Sequence, residues 1–368
     1  MARLMRVSRR AVLVAAVVAV VALVAGVAVA LLVPDRAGAP AGAPPDVSAA
    51  PTEAAATPSP SPGANVAGPL DILIVGLDTR VSVPDWQPHA DAVMVLHVDE
   101  GLTSGYLYSL PRDLLVDVPA FPAAGFGGGR LKLTEAMSRG SRRPGGNRPD
   151  AAQGFELLEK AVLRYTGLRR FDAGAALTFA GLSRLTDAVG GIEVTVDQRV
   201  VSQHRRPDGK MRTLRAGGGG YLGPQMVYEP GRRRMVGWQA IDYARQRYTA
   251  GGDYTRQRHQ RQIIAALLAK AAADGIPASP ERLADVLAAL RETVLFEGGR
   301  NTAVDYAYAL RNLTPQALTL VSLPGASVIR NGGYRGEQLK PAGTAFLKAA
   351  AAGDGAAHLR ANPGLRHG

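Results

Sequence analysis

The chain has no cysteine among its 368 residues. That absence excludes a disulfide framework, thiolate zinc or iron–sulfur ligation, and a cysteine nucleophile. Histidine is scarce, with six copies scattered along the chain, so a His-rich metal cage is not expected. Acid is under-represented: 43 Lys and Arg face 31 Asp and Glu, a formal charge of +12. Lysine contributes little to that excess, since only six of the basic residues are Lys and 37 are Arg. The Arg bias is compatible with GC-rich coding, but Arg is also the side chain suited to bidentate phosphate recognition. Such a charge points to a polyanion: nucleic acid, an anionic membrane surface or a phosphate-bearing substrate. The length allows one large domain or two ordinary ones with a sizeable core.

The amino terminus chooses among these. Arg3, Arg6, Arg9 and Arg10 stand without an acid, and Ala11 to Val33 then runs 23 residues without a charge. A helix of that length spans roughly 34 Å, enough for a bilayer. The Arg cluster places residues 1–10 in the cytoplasm and the rest outside, as a single-pass membrane protein. A cleaved signal peptide is the competing reading, with small residues at Ala37–Gly38–Ala39, although its apolar core is usually only about 7–15 residues. Either reading exports the chain and argues against nucleic acid. Residues 34–69 are almost entirely Pro, Ala, Ser, Thr and Gly and read as a disordered tether. Residues 1–36 carry +4 and residues 37–69 carry −2, so the part from Leu70 onward carries +10.

That part reads as one α/β domain over 70–350, with a flexible tail over 351–368. Leu70–Leu77, Asp91–Val98 and Gly105–Leu110 are short, β-branched and apolar, and predict strands. Helical patterns follow at Ala151–Tyr165 and Ala173–Val189, then a strand at Ile192–Val196. Thr255–Ala273 predicts a helix with Ile263, Ile264, Leu267 and Leu268 on one face. Pro280–Leu295 and Ala303–Leu313 read as helices and Leu318–Leu323 as a last strand. The expected architecture is three-layer-like, a central mixed β-sheet flanked by helices and preceded by one transmembrane helix. The Gly-rich segments 125–129 and 217–220 lack the spacing of a phosphate-binding loop and read as surface loops or a lid.

Four clusters could carry chemistry. Gly76–Leu77–Asp78–Thr79–Arg80 lies past a strand end, and His89–Ala90–Asp91 opens the next strand. Antiparallel pairing would bring Asp78 and Asp91 to one end of the sheet, where two carboxylates could hold Mg²⁺ with phosphate oxygens. A capped turn with an Asp91–Arg80 ion pair accounts for the same residues. Ser109–Leu110–Pro111–Arg112–Asp113 is another strand-end turn, which Pro111 stops. The richest stretch runs from Gln239 to Gln260. It holds Arg245 and Arg247 in alternation, and Asp253, Arg256 and Gln260 about a helix amino terminus, a ready anion site.

Together these segments resemble the LytR–CpsA–Psr family of cell-wall ligases. The counterparts are Gly76–Arg80, His89–Asp91, Ser109–Asp113, Lys132–Thr134, Thr186–Val194 and Val236–Gln260, six motifs in order between Leu70 and Leu323. His89 stands where the family usually has Arg, Thr134 where Asn is common, and His259 where Arg is usual. The resemblance implies a phosphotransferase that moves a glycopolymer from a polyprenyl-pyrophosphate carrier to a muramic acid hydroxyl of peptidoglycan. It implies Mg²⁺ on Asp78 and Asp91, and Asp91, Arg112, Arg245 and Arg247 as catalytic residues. Arg80, Lys132, Arg256, Gln260 and Asp253 would hold pyrophosphate or position the groups that do. The lipid needs an apolar tunnel, for which Phe155 and Phe179 are candidates. Hydrolysis of the same carrier and non-catalytic binding of wall polymer are the alternative functions.

Overall fold

The structure, a computed structural model, describes residues 63–78, 86–146, 148–276 and 294–367, with a few isolated positions between 279 and 290. The expected anchor over 11–33, most of the tether and most of the expected helix over 280–295 lie outside the described residues. Among the described residues no helix is long and apolar enough to cross a membrane.

Strands β1 (Leu70–Asp78), β2 (His89–Val98) and β3 (Gly105–Leu110) run antiparallel in succession. A ribbon of β4 (Leu115–Val118) and β5 (Gly129–Lys132) leads into helices α1 (Leu133–Gly140) and α2 (Ala151–Thr166). β6 (Ala173–Thr178) returns parallel to β1 and is followed by α3 (Phe179–Ala188). Next come β7 (Ile192–Val196) and the two-residue strands β8 (Val200–Val201), β9 (Thr213–Leu214), β10 (Tyr221–Leu222) and β11 (Val227–Tyr228). β12 (Gly231–Met235) pairs back to β7, outside the main sheet. Helices α4 (Gly237–Arg245) and α5 (Gly252–Ala273) follow, then β13 (Val294–Glu297), α6 (Ala303–Ala309) and β14 (Leu318–Val321). The chain closes with the hairpin β15 (Gly325–Arg330) and β16 (Gly333–Leu339), helices α7 (Pro341–Ala351) and α8 (Gly355–Ala361), and β17 (Arg366–His367).

The main sheet is mixed and seven-stranded, in the order β13–β6–β1–β2–β3–β14–β17. Side chains alternate across it with a period of two. Ile72, Ile74, Met94 and Leu96 share one core with Ile263 and Leu267 of α5. Leu73, Val75, Val93 and Val95 share the other with Leu133 and Met137 of α1 and Phe155 and Leu158 of α2. Helices therefore cover both faces, which explains why β1 reads as a continuous apolar run rather than an alternating one.

The structure departs from the sequence reading in four places. Residues 173–189 are not one helix: Ala173–Thr178 is a strand between β1 and β13, and only from Phe179 does the chain turn helical, capped by Thr178 Oγ1 accepting from Gly181 N at 3.0 Å. Alanine is a strong helix former, but here its small size is what packing demands. A Cβ on Gly174 would come within 2.6 Å of the Phe155 ring, which packs onto the strand. Phe155 thus belongs to the core beneath α2, away from any lipid tunnel. Residues 351–367 are not a loose tail. Leu359 and Leu365 are buried, and β17 adds to the sheet edge beside β14. The last residues of the tether are also part of the domain, since Val66 is buried and Gly63 N donates to Asp305 Oδ1 at 3.0 Å.

Candidate functional site

The site forms where β1 and β2 end. Their register pairs Gly76 with Ala92, Leu77 with Ala90 and Asp78 with His89, which leaves Asp91 opposite no residue. Asp91 is therefore the extra residue of a β-bulge, a device that re-aims a side chain. Its Oδ1 accepts from Arg112 Nη1 at 2.7 Å, and its Oδ2 lies 3.7 Å from Arg256 Nη1. Asp78 sits across from His89 at the same sheet end. Arg80 lies outside the described residues.

Arg112 comes from the turn after β3, closed by Leu114 N donating to Pro111 O at 3.0 Å. Burial works against its charge, but Asp91, by charge and hydrogen bond, with Asp113 and Asp253, holds the guanidinium above its ordinary value. Arg256 comes from the first turns of α5 and is 3% exposed. Asp253, one turn earlier, pairs with it at 2.8 Å and is itself held by Gln257 Nε2 at 3.0 Å. For Arg256 burial prevails, helped by the nearby charges of Arg112 and Arg247, and pushes its proton affinity down against the pull of Asp253 and Asp91. Among the described residues the buried Nε atoms of Arg112 and Arg256 meet no hydrogen-bond acceptor, Arg112 Nε lying 3.9 Å from Asp113 Oδ1. Buried guanidinium donors left open in this way call for an anion.

A second group adjoins through Asp113. Lys132 Nζ is 3.7 Å from its Oδ1, and Tyr334 donates its hydroxyl to Oδ2 at 3.0 Å. The ammonium of Lys132 also lies 4.8 Å from the centre of the Tyr334 ring. Tyr334 belongs to the β15–β16 hairpin, which is sealed to the site turn by Glu337 N donating to Asp113 O at 2.8 Å. Glu337 further accepts from Tyr254 and Tyr334, at 3.2 Å each, and from Ser327 at 2.9 Å. Sequence reasoning missed Tyr334 and Glu337, which stand more than 200 residues from Asp113 and carry no local signal.

Arg245 and Arg247 alternate about a buried residue as expected, but not on a wholly extended segment. Arg245 is the last residue of α4, Gln246 is extended, and both Arg side chains are exposed around a buried Gln246. Gln246 Nε2 donates to Asp242 Oδ1 at 2.9 Å, and Ser202 and Tyr228 donate to the same carboxylate at 2.8 and 2.9 Å. This buried network fixes the turn that carries the two Arg. Arg245 lies 4.5 Å over the Phe179 ring, while the charge of Arg247 is felt at Arg256.

Phe179 and Gln260 line a narrow apolar cavity of about 50 Å³ between the sheet and helices α3, α4 and α5, with Ile74, Met94, Leu182 and Ile263 among its walls. Gly76 and Ala92 reach it as well, so it runs up to the strand ends that carry the ion cluster. Gln260 is not in the ion cluster, and its buried Oε1 has no hydrogen-bond partner among the described residues. The three departures from the family pattern are equally visible. His89 Nδ1 meets Gln87 O at 2.9 Å, and the buried Thr134 hydroxyl has no partner among the described residues. His259 is fully buried, stacked on Tyr243 at 4.1 Å, and burial lowers its pKa to about 4.

No group of three His, Cys, Asp or Glu suited to a metal occurs among the described residues. Asp78 and Asp91 at one sheet end supply only hard carboxylate oxygens. Such a pair fits Mg²⁺ when phosphate oxygens complete the shell.

The chain is 30% identical over 231 residues to the probable cell wall biosynthesis protein LcpB of Corynebacterium glutamicum, covering 60% of this chain and 46% of that one. It is 28% identical over 243 residues to the polyisoprenyl-teichoic acid–peptidoglycan teichoic acid transferase TagU of Enterococcus faecalis, covering 66% and 67%. The chain spans about half the length of several of the curated relatives it matches. Among solved structures, protein gbs0355 of Streptococcus agalactiae shares the fold with a TM-score of 0.60 at 22% identity, over 77% of this chain and 87% of that one. TagV of B. subtilis does so with a TM-score of 0.55 at 17% identity, over 78% and 97%. The LytR_cpsA_psr family model matches residues 46–348. Since that match takes in every element from β1 to most of α7, and all the residues gathered around Asp91, the chain belongs to the LytR–CpsA–Psr family.

Proposed function

We propose that the protein is a phosphotransferase that moves a glycopolymer from a polyprenyl-pyrophosphate carrier to a hydroxyl of peptidoglycan, on the outer side of the cell membrane. The observation that carries this reading is the joining of two unlike sites: open, buried guanidinium donors at Asp91 and an apolar cavity that begins at the same strand ends. A lipid pyrophosphate has the matching two parts. Relatives named for cell wall biosynthesis and teichoic acid transfer support it.

In this reading the polyprenyl chain enters between Ile74, Met94, Phe179, Leu182 and Ile263, whose side chains part to widen the narrow space they line. Arg112 and Arg256 hold pyrophosphate oxygens, with Arg247 and Lys132 around them and Asp253 fixing Arg256. Arg245 closes over Phe179 at the cavity mouth. Phosphoryl transfer depends on positioning and on neutralising charge, which buried guanidiniums supply without reorganising. Asp78 and Asp91 would hold Mg²⁺, which supplies further neutralisation of the pyrophosphate. Asp91 is the carboxylate placed to take the proton of the attacking hydroxyl. Gln260 turns its free carbonyl towards the donor at the polar end of the cavity.

The test uses the full chain in proteoliposomes, a polyprenyl-pyrophosphate glycan and peptidoglycan. Asp91→Ala and Arg245→Ala are each expected to abolish transfer with an unchanged circular dichroism spectrum. Near-wild-type transfer by both would overturn the assignment.

A further inference from the structure

A second, basic space lies on the opposite side of the sheet from the apolar cavity. Its floor is Glu135, Ser138 and Arg139 on one face of α1, with Arg142 just past the helix end, and its wall is Trp86, Gln87 and His89. It is about 360 Å³ and shares Gln87 and Arg142 with an adjoining space of about 770 Å³ lined by Arg143, Pro144 and Arg148. The two make one trough. Its charge is largely uncompensated. Arg143 pairs with Asp150, but Arg139, Arg142 and Arg148 have no carboxylate partner among the described residues. Glu135, the acid in the lining among the described residues, accepts from Lys132 N at 3.2 Å as a helix cap.

The position is informative. α1 packs on the face of β2 that carries Val93 and Val95, whereas the apolar cavity lies on the face that carries Ile74 and Met94. The sheet thus separates the two spaces, and both reach the strand ends: the cavity at Gly76 and Ala92, the trough at His89, two residues from Asp91. In a phosphoryl transfer the attacking and leaving oxygens lie roughly in line. With the lipid leaving group on one side of Asp91, the nucleophile approaches from the other, which is the trough.

We propose that the trough binds the acceptor, a peptidoglycan glycan strand recognised by the carboxylates of its stem peptides through Arg139, Arg142 and Arg148. The Trp86 and His89 rings, 5.7 Å apart, form an aromatic corner for the acceptor sugar at the catalytic end. This inference rests on the transferase reading. The bond formed joins the sugar hydroxyl oxygen to the phosphorus bearing the glycopolymer. The bond broken is from that phosphorus to the bridging oxygen, which leaves on the polyprenyl phosphate, and the hydroxyl proton passes to Asp91.

The experiment measures binding of soluble, uncrosslinked peptidoglycan strands to the full chain in nanodiscs without donor, and separately measures transfer. Wild type is expected to bind strands that carry stem peptides and to lose roughly tenfold in affinity for strands stripped of them by an amidase. Arg139→Ala/Arg142→Ala, in the last turn of α1 and just beyond it, is expected to bind intact strands as weakly as wild type binds stripped ones. Its KM for acceptor should rise by a similar factor with KM for donor unchanged, and Arg139→Lys/Arg142→Lys should restore most of the binding. Wild-type affinity in the Ala variant, no preference for intact strands, or a loss confined to donor affinity would each overturn the proposal. Strand binding of the expected pattern without any transfer by wild type would instead leave the trough assigned and overturn the transferase reading.

Discussion

Arginine occurs in two settings in this protein, and they behave differently. Arg232, Arg233 and Arg234 stand exposed on β12. Arg232 pairs with Glu193, Arg233 donates to the backbone carbonyls of Glu229 and Pro230, and Arg234 donates to Gly190 O at 2.9 Å. Solvent screens these contacts, which contribute little each. Arg256 is withdrawn from water and Arg112 partly so; they share one carboxylate, and among the described residues their Nε donors stay open. The positive charge of the chain is therefore not one property. Its exposed part bears on solubility and long-range attraction, and its buried part on binding one anion.

The sharpest way to break this contrast is Arg256→Lys. The lysine keeps the charge but not the fork that spans Asp91 and Asp253, and transfer is expected to fall by about 10²–10³ in initial rate. A fall of less than threefold would mean that the buried Arg is structural.

The next effect is on stability. His259 shares α5 with Arg256 and is the buried group of that helix poised to titrate. Its folded pKa of about 4 lies below its ordinary value of 6.5. An unfolded chain therefore takes up the proton first, and stability is complete above about 6.5 and falls as the pH drops towards about 4, by about 3 kcal/mol in all. His259→Phe should flatten that slope, measured by urea unfolding at stepped pH. An unchanged slope would place the acid sensitivity elsewhere.

Leu182→Trp, in the wall of the apolar cavity, should raise KM for a long-chain polyprenyl donor by about tenfold and for a short-chain one much less, because only the long chain needs the filled space. Equal effects on both would argue that the cavity does not hold the lipid. Tyr334→Phe removes the hydroxyl that joins Asp113 to the β15–β16 hairpin and leaves the ring beside Lys132. A reduction of about threefold to tenfold in rate is expected, in keeping with one lost hydrogen bond. The smallest effect is predicted for Arg233→Ala, within about twofold in rate at physiological salt, as for an exposed charge. A larger one would erase the distinction between the two settings.

The two settings also differ in how far they were legible. Asp91, Arg112, Asp253 and Arg256 stand out because each sits at a strand end or helix start marked by its own neighbours, Pro111 or the Gly251–Gly252 pair. Antiparallel pairing of β1 and β2 follows from two apolar runs in succession, and it brings Asp78 and Asp91 to one end. The bulge at Asp91 is not legible, because it depends on the register against β1 and not on any residue type. Nor is the role of Tyr334 and Glu337, which meet Asp113 only after the sheet and α5 are assembled. The alanines of β6 read as helix for a related reason: local propensity was overruled by the two strands on either side of them.

By itself, then, the sequence determined the layered α/β class, the order of most elements and the local clusters of charge, since these depend on periodicity and on turn residues a few positions apart. Tertiary structure alone decided which charges are withdrawn from water, which guanidinium donors remain open and which face of the sheet holds the apolar cavity and which the basic trough. Burial and desolvation are properties of what surrounds a side chain, and here the surroundings come from segments as distant as residues 91, 256 and 334.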